Sequence, residues 1–270
     1  MAYTPNDLHL SLTPEQTVAL KKSYTDFVKR IHDRQTVTPE YAAQLQNQLA
    51  TVLKGQKTWQ GITQQSAAFN HQLVHLIHTE NDVLALPWHI ATTSNDYLHI
   101  SKGFGREADN FEPEKLLPLK ILIVIAAPDD LNDAQRLDHE TEVESIIEAF
   151  QPLIADALVE LDFANDGTLA TLTEKLRDNA YHILHFSGHG VYSDTAQDGF
   201  LLMEDDSTYL KRMVSGKDFV RILTQIPDHC PELVLLSACQ SAQGFDSITK
   251  TLLLAGVPAV VSMNVSIFDY

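Results

Sequence analysis

The sequence predicts an α/β protein with a mainly parallel central sheet covered by helices on both faces, preceded by a short helical segment at the N-terminus. Three observations carry this. Near-continuous apolar runs recur at 121–126, 158–163, 182–186, 233–237 and 258–263, as expected for strands buried on both faces rather than half-exposed strands, which alternate. Amphipathic helical stretches separate most of these runs, and strand–helix alternation builds parallel sheets. Before about residue 71 the texture differs: helix starts and helical periodicity appear without apolar strand runs.

Taken in order, Thr13-Pro14-Glu15-Gln16 supplies an N-cap, a proline at the first helical position and a glutamine at the third. Leu20, Tyr24, Phe27, Val28 and Ile31 follow at helical spacing. A second start at Thr38-Pro39-Glu40 leads into Leu45, Leu49, Val52 and Leu53, and a weaker third helix is expected over 56–70. Lys120 to Ala126 reads as the first core strand, 140–154 as a helix presenting Val143, Ile146, Ile147 and Phe150, and 157–163 as the second strand. A helix over 168–179 carries Leu169, Leu172 and Leu176 on one face, and the third strand covers 181–186. A short strand at 199–204, a helix at 217–225, the fourth core strand at 232–237, a helix at 246–255 closing on Gly256, and a fifth strand at 258–263 complete the reading. The expected division is a helical segment, residues 1–70, and an α/β domain, residues 71–270. That domain ends soon after a core strand, where a parallel sheet normally sends a helix back, so it is expected to be C-terminally incomplete.

Composition narrows the functional classes. A net charge of −17 repels a phosphate backbone, so direct contact with nucleic acid is not expected; the charge serves solubility and also suits basic protein substrates. No apolar run reaches the ~18 residues of a membrane span, and the first 20 residues lack the pattern of a signal peptide. Two cysteines, Cys230 and Cys239, make no disulfide framework, and a reducing, cytoplasmic setting is expected.

In open parallel sheets, reactive groups gather at the C-terminal ends of strands. The third core strand runs into His185-Phe186-Ser187-Gly188-His189-Gly190, the fourth into Leu236-Ser237-Ala238-Cys239-Gln240-Ser241-Ala242. A thiol needs a base or a low pKa to attack a carbonyl at neutral pH, so His189 is the candidate base and Cys239 the candidate nucleophile. Gly188 and Gly190 leave room for a substrate backbone. The N–H groups of Gly190 and Cys239 are candidates for an oxyanion hole. Ser187 and Ser241 flank the pair but are weaker nucleophiles. Cys230, before Pro231, is expected to be inert. No metal and no cofactor are expected: His182 and His185 differ by an odd number along a strand and face opposite ways, and His71, His75 and His78 read as scattered histidines. Gly103-Phe104-Gly105-Arg106-Glu107-Ala108 resembles a loose dinucleotide fingerprint, but Pro113 and Pro118 follow too closely for the required helix.

Several stretches together resemble the CHAT domain, a caspase-like peptidase module in the clan that holds caspases and separase. They are Ala85-Leu86-Pro87-Trp88, the first strand through Ala127-Pro128, His182 to Gly190, Gly199 to Asp205, Leu233 to Ala242 and Leu254 to Met263. His189 precedes Cys239 by 50 positions, the order and spacing of the caspase pair. The resemblance covers residues 71–270; residues 1–70 carry no motif of the family. It implies a caspase-like three-layer fold and a cysteine endopeptidase acting on protein substrates through His189 and Cys239. It also implies an effector switched on by a sensor domain or partner chain, such as the CRISPR-linked sensors of antiviral defence. Separase and many relatives suggest a basic residue before the scissile bond, which needs a carboxylate in the pocket. Asp269 is the first candidate and Asp246 the second, the competing view of Asp269 being a terminal acid with no pocket role. The alternative function is a catalytically silent or split-protease interaction module that requires a further C-terminal part.

Overall fold

In the computed structural model, the residues described are 6–33, 35–62, 72–78, 81–84, 86–92, 98–103, 117–132, 136–193, 195–196, 198–239 and 242–262. The chain is mixed α/β and forms two compact units, Met1–Asp109 and Asn110–Tyr270.

The first unit begins with a strand, β1 (Asn6–His9), followed by helices α1 (Pro14–His32) and α2 (Pro39–Lys54). Both helices start as their sequences predict. Thr13 and Gln16 form a reciprocal capping box, with Gln16 N donating to Thr13 Oγ1 at 3.2 Å and Thr13 N donating to Gln16 Oε1 at 2.9 Å. Thr38 Oγ1 caps α2 by accepting from Tyr41 N. Leu45, Leu49, Val52 and Leu53 form the buried face of α2. Residues 59–62 of the expected third helix are helical, and 63–70 lie outside the described residues. β2 (Gln72–Ile77), a short helix α3 (Asn81–Leu84) and β3 (Leu98–Gly103) complete the unit. β1, β2 and β3 form a parallel sheet in that order, an element the sequence reading lacks. The four residues of β1, Asn-Asp-Leu-His, are too short and too polar to show a strand period. Trp88 is fully buried, with its indole N–H donating to Val83 O at 2.7 Å.

In the second unit the expected alternation is realised as β4 (Leu119–Ile125), α4 (His139–Ala155), β5 (Val159–Phe163), α5 (Leu169–Asp178) and β6 (Ile183–Ser193). A hairpin follows, β7 (Asp198–Glu204) and β8 (Lys211–Ser215), then α6 (Gly216–Leu223), β9 (Leu233–Cys239), α7 (Ala242–Leu254) and β10 (Ala259–Ser262). The strand order is β10-β9-β6-β4-β5, all parallel, with β7 paired to β6 and β8 to β7, both antiparallel. Helix α7 ends at Gly256, whose φ of 103° suits only glycine.

The pleat of β4 explains why its run is apolar throughout. Leu122 and Val124 point into a large core with Leu169, Leu172 and Leu176 of α5, Phe219 and Leu223 of α6, and Ile248 and Leu252 of α7. Ile121 and Ile123 point the other way, towards Ile146 and Phe150 of α4. Phe186 of β6 is fully buried in the first core, edge-on to Phe219 at a centroid distance of 6.0 Å.

One glycine is required by contact. A Cβ on Gly167 would lie 2.4 Å from Ala126 Cα and 2.6 Å from Ile125 O, both main-chain atoms at the end of β4. Gly167→Ala is therefore expected to lower the stability of the second unit by about 1–3 kcal/mol. The midpoint of chemical unfolding checks it: an unchanged midpoint means that the turn before α5 can move aside.

Candidate active site

The site is built on β6. This strand pairs in parallel with β4 as far as Ser187 and with β9 as far as His189. From His189 to Ser193 it pairs antiparallel with β7. His189 is opposite both Leu202 of β7 and Cys239 of β9, so both edges of β6 are occupied there, and β7 takes the edge that β4 leaves. Sequence reasoning ended this strand at Phe186 and placed His189 in a loop. The strand instead continues through it, because β7 offers a new hydrogen-bonding edge where β4 stops. His189 is only 9% exposed. Cys239 is the last residue of β9 and the Cα partner of His189. The two candidate residues thus occupy facing positions at the C-terminal ends of neighbouring parallel strands, about 4.8 Å apart across the ladder. The side chain of Cys239 lies outside the described residues.

Residues two apart on a strand share a face, so His185, Ser187 and His189 form one row. Opposite that row is the first turn of α4, which Asp138 caps by accepting from Thr141 N at 3.1 Å. From this turn Glu142 reaches the row: Ser187 Oγ donates to its Oε2. His185 Nε2 lies 3.6 Å from Glu142 Oε1, and His139 Nδ1 lies 3.9 Å from Glu142 Oε2. Both nitrogens are buried without a hydrogen-bond partner, so of the three contacts the one from Ser187 is the hydrogen bond and the imidazoles are close polar neighbours. Burial alone would raise the Glu142 carboxyl. The contacts with His139, His185 and Ser187 outweigh it and hold the carboxyl well below the ordinary carboxylate range.

Glu142 escaped the sequence reading, which weighed only the apolar face of its helix. The available signal was an acid in the first turn after an Asp cap, where carboxylates are stabilised. Ser187, read there as a weak nucleophile, is 1% exposed and committed to Glu142.

Gly188 has a packing role on the opposite face: a Cβ there would lie 3.2 Å from both Ala126 Cβ and Phe186 Cζ. Gly190 is buried in β6, opposite Leu201. Behind the site, Glu204 is 8% exposed and accepts from Ala127 N at 2.9 Å, tying down the chain leaving β4. Beyond it a pocket of about 270 Å³ is lined by Leu131, Arg136, Leu137 and His139, among others, with room for one large side chain. His182 accepts from Lys120 N through Nδ1 at 3.0 Å, a structural duty between strands. His71 and the side chain of His75 lie outside the described residues. Cys230 is half-buried, and burial pushes its thiol pKa up. Of the two candidate pocket acids, Asp246 lies on α7 with its side chain outside the described residues, and Asp269 lies outside them altogether. Among the described residues, no helix is long and apolar enough to cross a membrane.

A family model for the CHAT domain matches residues 39–270. The match spans most of the chain, and the chain belongs to the CHAT-domain family, which is related to the caspase-like cysteine peptidases. A search of curated proteins found no match.

The depressed Glu142 carboxyl has a signature in stability. A group whose pKa is lowered by folding stabilises the fold above its unfolded value, 4.5, and that contribution fades as pH falls towards the folded value. Between about pH 6 and pH 3 the stability gap between wild type and Glu142→Ala is therefore expected to narrow. Denaturant titrations at stepped pH measure it, and a constant gap would mean that the carboxylate is not selectively stabilised in the fold.

Proposed function

We propose that the second unit is a cysteine endopeptidase domain with Cys239 as nucleophile and His189 as base. The observation that carries this reading is the β6–β9 register, which makes His189 and Cys239, from the two strand-end motifs, direct Cα partners. Membership of a family related to caspase-like peptidases supports it, as does a central sheet with five neighbouring parallel strands.

In this reading His189 takes the thiol proton of Cys239, and the thiolate sulfur attacks the carbonyl carbon of the scissile bond. The N–H groups of Gly190 and Cys239 receive the negative oxygen of the tetrahedral intermediate. Collapse of the intermediate breaks the C–N bond, His189 returns the proton to the departing amine, and a thioester remains. Water, deprotonated by His189, hydrolyses the thioester and regenerates the thiol.

The domain acts on protein substrates in the cytoplasm as an effector held in check until a sensor domain or partner chain releases it. A basic side chain before the scissile bond suits the acidic chain, with Asp269 or Asp246 as its carboxylate partner.

Cys239→Ala and His189→Ala are each expected to lower peptide cleavage by about 10³-fold or more while leaving thermal unfolding intact. A reactive peptidyl ketone is expected to label Cys239. Wild-type rates in either variant rule out the assignment, and failure of Cys239 to label favours the silent interaction module. In a fluorogenic panel with Arg, Lys, Asp or Leu before the cut, Arg and Lys substrates are expected to lead. Loss of that preference in Asp269→Ala or Asp246→Ala identifies the pocket acid, whereas preference for Asp or Leu removes the acidic pocket.

A further inference from the structure

Glu142 is a half-buried carboxylate for which packing gives no reason. It sits beside the face of the sheet formed by Ile121, Ile123 and Val159, with Ile146 and Phe150 of its own helix packed onto that face. Replacing a buried ionic group in such a place by an apolar one is often neutral or stabilising. Keeping a carboxylate and a fully buried hydroxyl there is accounted for by a geometric duty.

That duty is visible in the course of β6. The last main-chain bond from the β4 side runs from Ala126 N to Ser187 O at 2.8 Å. Two residues later, at His189, the strand has exchanged β4 for β7. Ser187 is the hinge of this exchange, held through its carbonyl by β4 and through its hydroxyl by Glu142. Gly188, paired with Ala238 of β9, is the one residue between Ser187 and His189.

We propose that Glu142, through the hydroxyl of Ser187, is a positioning residue for His189, fixing β6 at the rung where β4 leaves it, two residues before the histidine, so that the imidazole meets the thiol of Cys239. This rests on the dyad assigned above. Nothing here requires Glu142 to touch the substrate: it acts through Ser187, and a displacement of about 1 Å in such a support can cost a hundredfold in rate.

The two cysteines of the chain, Cys239 and Cys230, allow a test that needs no knowledge of the substrate. The full-length protein is treated with iodoacetamide at about pH 6.5, where an isolated thiol is mostly protonated and a histidine-paired one is not. Alkylation of the two cysteines is followed separately by peptide mass spectrometry. Cys230 reports general loosening of the fold, and Cys239 reports the thiolate made with His189.

Ser187→Ala and Glu142→Ala are each expected to slow Cys239 alkylation about tenfold, with Cys230 changed by less than about twofold. The double variant is expected to be no slower than either single one, because one hydrogen bond is lost in each case. Ser187→Thr keeps the hydroxyl and Glu142→Gln keeps an acceptor, and both are expected to stay within about threefold of wild type.

Should His189→Ala slow Cys239 while Ser187→Ala and Glu142→Ala do not, the positioning role is overturned and the dyad stands. A loss in Glu142→Gln as large as in Glu142→Ala also overturns it, since the charge rather than the hydrogen bond would then be the agent. If His189→Ala leaves Cys239 unchanged, the dyad itself falls, and the positioning role with it.

Discussion

Strand β6 is the constraint on which the second unit depends. It is the middle of the parallel sheet, bonded to β4 on one edge and β9 on the other, and its C-terminal half belongs to a different, antiparallel pairing with β7. A buried strand cannot leave its main-chain groups unpaired, so β4 can end at Ile125 only because β7 takes over the edge. That exchange puts the His189–Cys239 register pair at the last rung shared with β9. A histidine in a free loop would owe its position to side-chain contacts. Here main-chain pairing along two edges places its backbone.

The two faces of β6 serve different purposes. Leu184 and Phe186 face the larger core, and Gly188 continues that side in close approach to Ala126, where a Cβ would be tight at 3.2 Å. The other face begins with Ile183 against the smaller core and then turns polar in the order His185, Ser187, His189. Polar groups in such a row must be satisfied or they destabilise the fold. Glu142 meets this need for Ser187 from a helix start, where the aligned peptide dipoles favour negative charge, and its helix is itself capped by Asp138. The acid therefore serves the fold while engaging two of the three polar positions of the row.

The candidate pair was legible because each member follows an apolar strand in a distinctive local sequence, so strand-end placement could be read without tertiary structure. Glu142 was not legible, because its partner Ser187 is 45 residues away and no local pattern joins a helix start to a strand end. β8 was missed for a related reason: Lys-Arg-Met-Val-Ser has one buried residue, Val214, and becomes a strand by pairing with β7.

By itself the sequence determined the core strands of the second unit, the capped helices, the order in which these alternate, and the two motifs as candidates, because apolar periodicity, cap residues and turn residues are local properties. Only the tertiary structure decided which strands are neighbours, that β6 extends through His189, that His189 and Cys239 are register partners, and that Glu142 holds Ser187. Each of these is a pairing between distant segments. Such a choice is made by competition among all possible partners for buried hydrogen bonds and apolar surface, and no single segment carries that information.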